Sequence, residues 1–184
     1  MIVILTIKRR LHLAEATKQS LLDNGVNENQ IEIIIGYDKL DYPDMKRPYH
    51  LVGKALMEIV IPYAIDNNTS IFYTECGTLF NENPFDLLVN KDKINWLGYI
   101  KKLKDYIIGA KLIYLPLPIM KHIIDKPPPL IRLGHIDRMI RNYALKYNCL
   151  EVADKTHISL MDYPSDWGTA EQLKRKKVLK KQIK

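Results

Sequence analysis

The stretch from His50 to Phe80, HLVGKALMEIVIPYAIDNNTSIFYTECGTLF, constrains the fold more than any other part of the chain, because two periodicities meet in it. From about Leu51 to Ile65 the residues Leu51, Ala55, Leu56, Ile59, Val60 and Tyr63 recur at helical spacing. Pro62 falls too late to be a first-turn residue of that helix, and its missing N–H should kink or split it. Asn67 and Asn68 then break the pattern, a short β-rich run covers about Ser70 to Thr74, and Glu75-Cys76-Gly77 makes an acidic tight turn. A helix feeding a buried strand that stops at a turn is a building unit of an α/β sheet.

The remainder of the chain repeats this alternation. IVILTI is a β-branched run suited to a strand covered on both faces, and a helix follows over Leu11 to Asn24, with Leu13, Ala16, Thr17, Ser20 and Leu21 as its apolar positions and Gly25 as its stop. Ile31 to Ile35 supplies a second buried strand, ended by the turn Gly36-Tyr37-Asp38. Lys39 to Pro48, polar and carrying two prolines, reads as a mobile loop. Asn83-Pro84-Phe85 opens a short helix; Ile94 to Gly98 and Lys111 to Leu115 are strands separated by a Lys-rich bend. A helix runs from Pro118 through Ile124, Pro127 to Pro129 form an extended connector, and Ile136 to Tyr147 is amphipathic through Met139, Ile140, Tyr143 and Ala144. The sum is an α/β fold: a single Rossmann-like domain built on an open, mostly parallel mixed sheet with helices on both faces. In such sheets ligands bind at the carboxyl ends of the strands, where Arg9, Asp38 and Glu75 all fall.

Charge sharpens the division of the chain. The net charge of +7 is carried by Lys174, Arg175, Lys176, Lys177, Lys180, Lys181 and Lys184, with no acidic residue among positions 174–184, so residues 1–173 sum to zero. We therefore divide the chain into a domain over 1–173 and a basic tail over 174–184. The tail has two readings: an amphipathic segment resting on an anionic membrane surface through Leu173, Val178, Leu179 and Ile183, or a solvated terminus. No run approaches the roughly 20 apolar residues of a membrane span. The apolar opening Met1 to Ile7 precedes Lys8-Arg9-Arg10, the reverse of a signal peptide's order, and is expected to be a buried strand. Cys76 and Cys149 lie outside any disulfide or zinc spacing, which fits a reducing cytoplasm.

Several ordered motifs together resemble the glycosyltransferases of the lipopolysaccharide-biosynthesis and collagen-galactosyltransferase kind, which have the GT-A fold. ILTIKRR is similar to that family's INLxRR opening, IIIGYD to its AVDG turn, and the helix with Gly53 followed by Ser70 to Gly77 to its GCxLSHxxxW helix and LEDD strand end. NWLGYIKK resembles its LLGY strand through Gly98 and Tyr99, IIGAKLIYLPLPIMKHII its GTxAYLISxxGAxKLL stretch through Gly109 and Tyr114, and GHIDRMI its PxDxxL. The resemblance runs from the first strand to about Trp167. It departs from the family at two places: Met57-Glu58 replace a Ser-His pair, and Cys76-Gly77 replace the two Asp residues that hold a divalent cation.

The resemblance implies transfer of a sugar from a nucleotide-diphosphate donor, a UDP-sugar favoured, to a glycan or protein acceptor with inversion. Such transfer needs a grip on the nucleoside, neutralisation of the leaving diphosphate, and a base for the acceptor hydroxyl. Thr6 and Arg9 map to the loop meeting the nucleotide, and Asp38 would accept hydrogen bonds from base or ribose. The competing structural readings are a charged helix start for Arg9 and Arg10 and a turn-former for Asp38. Lys54 would neutralise diphosphate charge, against the plain reading of an exposed helix lysine. Gly77 permits close approach of sugar or phosphate. Glu75, with His157 as a further ligand, would hold Mn²⁺ or Mg²⁺, which such sites complete with phosphate oxygens and water; a lone histidine such as His157 also suits surface or core. Cys76 reads as a packed thiol. Asp137 is the candidate base, with His135 as its alternative, although a carboxylate at a helix start is also stabilised by about 0.3 to 1 kcal/mol through the helix dipole. Two rival classes remain: a GT-A-like module that binds without catalysis, motivated by the lost Asp pair, and nucleic-acid binding through the tail, against which stand the neutral body and the lack of a nucleic-acid motif.

Overall fold

The structure is a computed structural model that describes residues 1–42, 44, 50–98, 101–103, 106–108, 112–127, 136–152 and 158–160. Its elements are β1 (Ile2–Thr6), α1 (Leu11–Asp23), β2 (Ile31–Ile35), α2 (His50–Ala55), α3 (Ile61–Asp66), β3 (Ile71–Glu75), β4 (Thr78–Phe80), β5 (Ile94–Gly98), β6 (Lys101–Leu103), β7 (Tyr106–Ile108), β8 (Leu112–Leu115), α4 (Leu117–Asp125), α5 (Ile136–Lys146), β9 (Leu150–Val152) and β10 (Ile158–Leu160). Six strands form one open sheet in the order β2-β1-β3-β8-β5-β9. β1 is parallel to β2 and β3, β5 is parallel to β9, and β8 alone runs antiparallel, between β3 and β5.

Strand alternation divides the core into two layers. Val3 and Leu5 of β1, Ile71 and Tyr73 of β3, Ile113 and Leu115 of β8, and Ile94 and Trp96 of β5 pack under α2, α3, α4 and α5. The intervening Ile2, Ile4, Phe72, Leu112 and Tyr114 pack with Leu13, Ala14 and Leu21 of α1. Trp96 and Tyr73 are among the largest fully buried side chains. Full burial of an apolar side chain stabilises by about 1.5 to 3 kcal/mol, so these layers dominate the fold's stability. The mixed sheet flanked by helices on both sides agrees with the sequence.

Register fixes where a site can lie. Thr6 pairs with Ile35, Leu5 with Glu75, Thr74 with Leu112, and Gly98 with Leu112. The carboxyl ends of β1, β2, β3 and β5 therefore share one edge with the amino end of β8.

Two differences from the sequence reading have local causes, and the split expected at Pro62 is found. Ile31–Ile35 is an edge strand, with Ile35 42% exposed, because no described strand pairs on its far side. The Lys-rich bend contains a hairpin, in which Lys101, Lys102 and Leu103 of β6 pair with Ile108, Ile107 and Tyr106 of β7. The helix over Leu51 to Ile65 divides ahead of Pro62, through a π-helical stretch at Leu56–Val60, and Pro62 lies in the first turn of α3. An α-helical Pro62 would clash with the carbonyl of Glu58 and offer it no N–H; a wider turn relieves both. Part of the expected loop, Lys39–Asp41, is a 3₁₀ turn, whereas positions 43 and 45–49 lie outside the described residues, as do Pro128 and Pro129 of the connector.

Candidate functional site at the carboxyl edge

β1 ends at Thr6, which is buried and whose hydroxyl donates to the backbone oxygen of Arg10 at 3.2 Å. Thr6 thus ties down the 3₁₀ turn Lys8–Arg10 that projects Arg9. On the neighbouring strand, Gly36 donates its N–H to the Thr6 carbonyl at 2.7 Å and passes tightly under α2. A Cβ at Gly36 would lie 3.0 Å from Ala55 Cβ and 3.0 Å from Leu5 Cδ1, so this crossing favours glycine.

Past Gly36, Asp38 meets Arg9 in a two-point contact: Nε donates to Oδ2 at 2.8 Å and Nη2 to Oδ1 at 3.1 Å. Asp38 Oδ1 also accepts the N–H of Leu40 at 3.1 Å, capping the 3₁₀ turn Lys39–Asp41. A carboxylate has about four acceptor positions, so these three bonds leave Asp38 about one for a ligand. The two residues that the sequence points toward a nucleotide are therefore joined to each other across the ends of β1 and β2.

Beside this pair lies a second cluster. Lys54 Nζ contacts both carboxylate oxygens of Glu58, at 3.0 and 2.7 Å, and stands 4.8 Å from the centre of the Tyr37 ring. Tyr37 donates its hydroxyl to Glu58 Oε2 at 2.8 Å and meets Tyr42 edge to face. The hydrogen bond from Lys54, then that from Tyr37, holds the Glu58 carboxyl below its ordinary range. Glu58 in turn raises the Lys54 ammonium and the Tyr37 phenol. Sequence reasoning singled out Lys54 but missed Glu58 and Tyr37. The four-residue spacing of Lys54 and Glu58 was a usable signal; the approach of Tyr37 from another element left none.

The end of β3 is built differently. Gly77 has φ +82°, which lets the chain reverse from β3 into β4. Its N–H donates to Thr17 Oγ1 at 2.9 Å, a buried contact, and Thr17 donates to the Leu13 carbonyl at 2.9 Å. Thr78 Oγ1 donates to the Glu75 carbonyl at 2.8 Å. One turn along α1, Ser20 Oγ accepts the Phe80 N–H at 2.8 Å, and Asn24 Nδ2 donates to the Phe80 carbonyl at 3.0 Å. Thr17, Ser20 and Asn24 thus form a polar strip on α1 that fixes the turn and β4. The sequence reading had put Thr17 and Ser20 among the apolar positions.

Cys76 is 8% exposed and belongs to the core layer beneath α1. Both cysteines are free. Glu75 is the one carboxylate on this turn, and among the described residues no group of three His, Cys, Asp or Glu side chains is placed to hold a metal ion. Hard divalent cations want several oxygen ligands, so the described donor set does not by itself form a dedicated site.

Asp137 lies in the first turn of α5. α5 descends to β9, whose Leu150 pairs with Ile94 at the amino end of β5, so its first turn lies toward the carboxyl edge. Gly98 ends β5 at that edge, and Tyr114 is buried in the α1-side layer. His135, His157, Tyr99, Gly109 and the tail over 174–184 lie outside the described residues. Among the described residues no helix is long and apolar enough to cross a membrane.

No protein-family model matches the chain, and no curated protein matches it in sequence. Solved structures do resemble it. A glycosyltransferase involved in the glycosylation of the major capsid of PBCV-1 aligns at TM-score 0.52 with 12% identity, over 83% of this chain and 80% of that one. The glycosyltransferase GlyE of Streptococcus pneumoniae TIGR4 aligns at TM-score 0.51 with 13% identity, over 83% of this chain and 45% of GlyE, so the chain spans less than half of GlyE's length. At such identities the likeness is one of fold. The chain has a fold found in glycosyltransferases.

Proposed function

We propose that the protein is a glycosyltransferase that moves a sugar from a nucleotide-diphosphate donor, a UDP-sugar by preference, to a glycan or protein acceptor with inversion. The observation that carries this reading is the meeting of Arg9, Asp38, Lys54 and Glu75 at one sheet edge, in a fold that known glycosyltransferases share. In an open α/β sheet that edge is where ligands bind.

Each residue has a distinct part. Asp38 orients the Arg9 guanidinium toward the nucleotide and offers its remaining acceptor position to the ribose or base. Lys54 supplies positive charge to the departing diphosphate. Gly77, lacking a side chain, lets the sugar or a phosphate come close to the turn. Asp137, or His135 in its place, takes the proton of the acceptor hydroxyl. Glu75, with His157 as a second ligand, would hold Mn²⁺ or Mg²⁺ together with oxygens of the donor's diphosphate, and the cation would offset the charge of the leaving group.

A panel of nucleoside diphosphates and nucleotide sugars, with and without Mn²⁺, tests the reading by thermal shift. A true donor at 100-fold its dissociation constant stabilises the fold by about 2.7 kcal/mol. Asp137→Asn should retain that shift and lose transfer. If no nucleotide raises the melting temperature of the intact protein, the reading is wrong. A second reading, a binding module without catalysis, is favoured by the burial of Cys76 where the family carries an acid; donor binding with no transfer or hydrolysis across a broad acceptor screen would select it.

A further inference from the structure

Lys54 is already engaged. Its ammonium meets both oxygens of Glu58 while Tyr37 holds one of those oxygens from the other side. Both partners are solvent-accessible, the Lys54 side chain 35% and the Glu58 side chain 45% exposed, so they separate without uncovering the core. Asp38, by contrast, is 14% exposed and is fixed by Arg9 and a backbone N–H.

We infer that Glu58 is a competing counter-ion that sets the affinity of the edge for a diphosphate: a nucleoside diphosphate takes Lys54 from Glu58 by exchange. The inference rests on the donor site proposed above. Three features make exchange feasible. A diphosphate carries more charge than a carboxylate and accepts from an ammonium at least as well. When Lys54 departs, Glu58 keeps the Tyr37 hydroxyl as a donor, so its charge is not left without a partner. Lys54 lies in the last turn of α2 while Glu58 belongs to the π-helical stretch, so the two charges straddle a change of helical winding and need not move together. Before exchange Glu58 also repels an incoming anion, and that repulsion lowers affinity further.

Glu58→Gln tests this, since it removes the charge but keeps the shape and an acceptor for Tyr37. UDP, inorganic pyrophosphate and uridine are titrated by calorimetry into wild type, Glu58→Gln, Lys54→Met and the double variant. The expected result is UDP and pyrophosphate binding roughly fivefold tighter in Glu58→Gln, as release from one exposed ion pair permits, with uridine unchanged and no gain in the Lys54→Met background. Equal UDP affinity in wild type and Glu58→Gln, or a gain that persists without Lys54, overturns the exchange and leaves the donor site standing. Failure of UDP and pyrophosphate to bind any of the four proteins overturns the donor site itself.

Discussion

The ends of β2 and β3 lie on one sheet edge, yet they are secured by opposite means. Beyond β2, Tyr37 and Asp38 are held through charged side chains at the surface: Arg9 with Asp38, and Lys54 with Glu58. Beyond β3, the turn through Gly77 is held by neutral hydrogen bonds to α1, including the buried contact to Thr17. Ionic contacts in water are individually weak and exchange with solutes, whereas a buried backbone N–H has no substitute partner. The exposed Lys54–Glu58 pair at one strand end can thus exchange partners with solutes, whereas the buried contact at the other cannot.

The largest expected effect attacks the fixed end. Cys76→Asp with Gly77→Asp would restore the acids of the resembling family, but it places a carboxylate in the layer beneath α1 and a side chain at φ +82°. We expect a loss of about 3 kcal/mol or more in urea unfolding, from burial of charge and backbone strain. A stable, metal-binding double variant would break the comparison, because the turn would then be as adaptable as its neighbour.

Next in size is Thr17→Val, which keeps the shape and removes the acceptor of the Gly77 N–H. It should cost about 1 to 3 kcal/mol, as orphaned buried donors do, and Thr17→Ser should recover most of that. Equal stability of Thr17→Val and wild type would mean the turn is held by something else.

The smallest effect belongs to the exchangeable end. The lowered Glu58 carboxyl contributes stability above the ordinary glutamate value of about 4.3 and loses it as pH falls through its lowered value. The raised Lys54 ammonium contributes below the ordinary lysine value of about 10.4 and loses it as pH rises through its raised value. The pair is therefore intact at neutral pH. Glu58→Gln should flatten only the acid limb of the melting profile, by less than either change at the Gly77 turn; a larger loss at pH 7 would show the clasp to be structural.

How much of this was legible depended on the reach of each signal. β1, β3, β5 and β8 were visible because runs such as IVILTI are short, β-branched and apolar on successive positions, which suits a strand covered on both faces. β4, β9 and β10 are three residues long, too short for a period to register, and are defined by partners distant in sequence. The charged residues at the strand ends were named individually, but their pairing was not. Arg9 and Asp38 are 29 positions apart, and Tyr37 and Glu58 are 21 apart, so folding alone brings them together. Thr17 was seen and misassigned, since a threonine in an apolar stripe reads as packing until a backbone N–H is found beside it.

The reversed direction of β8 has a bearing on how such a chain changes over generations. Gly98 and Leu112 face each other as a pair, so the segment between them departs from and returns to one point on the rim. Inserted residues there need not re-register any strand, and each doubling of such a loop costs only about 0.6 kcal/mol. The β6–β7 hairpin occupies this position. Length and chemistry at that point of the rim can therefore change without shifting the register of the strands that flank it.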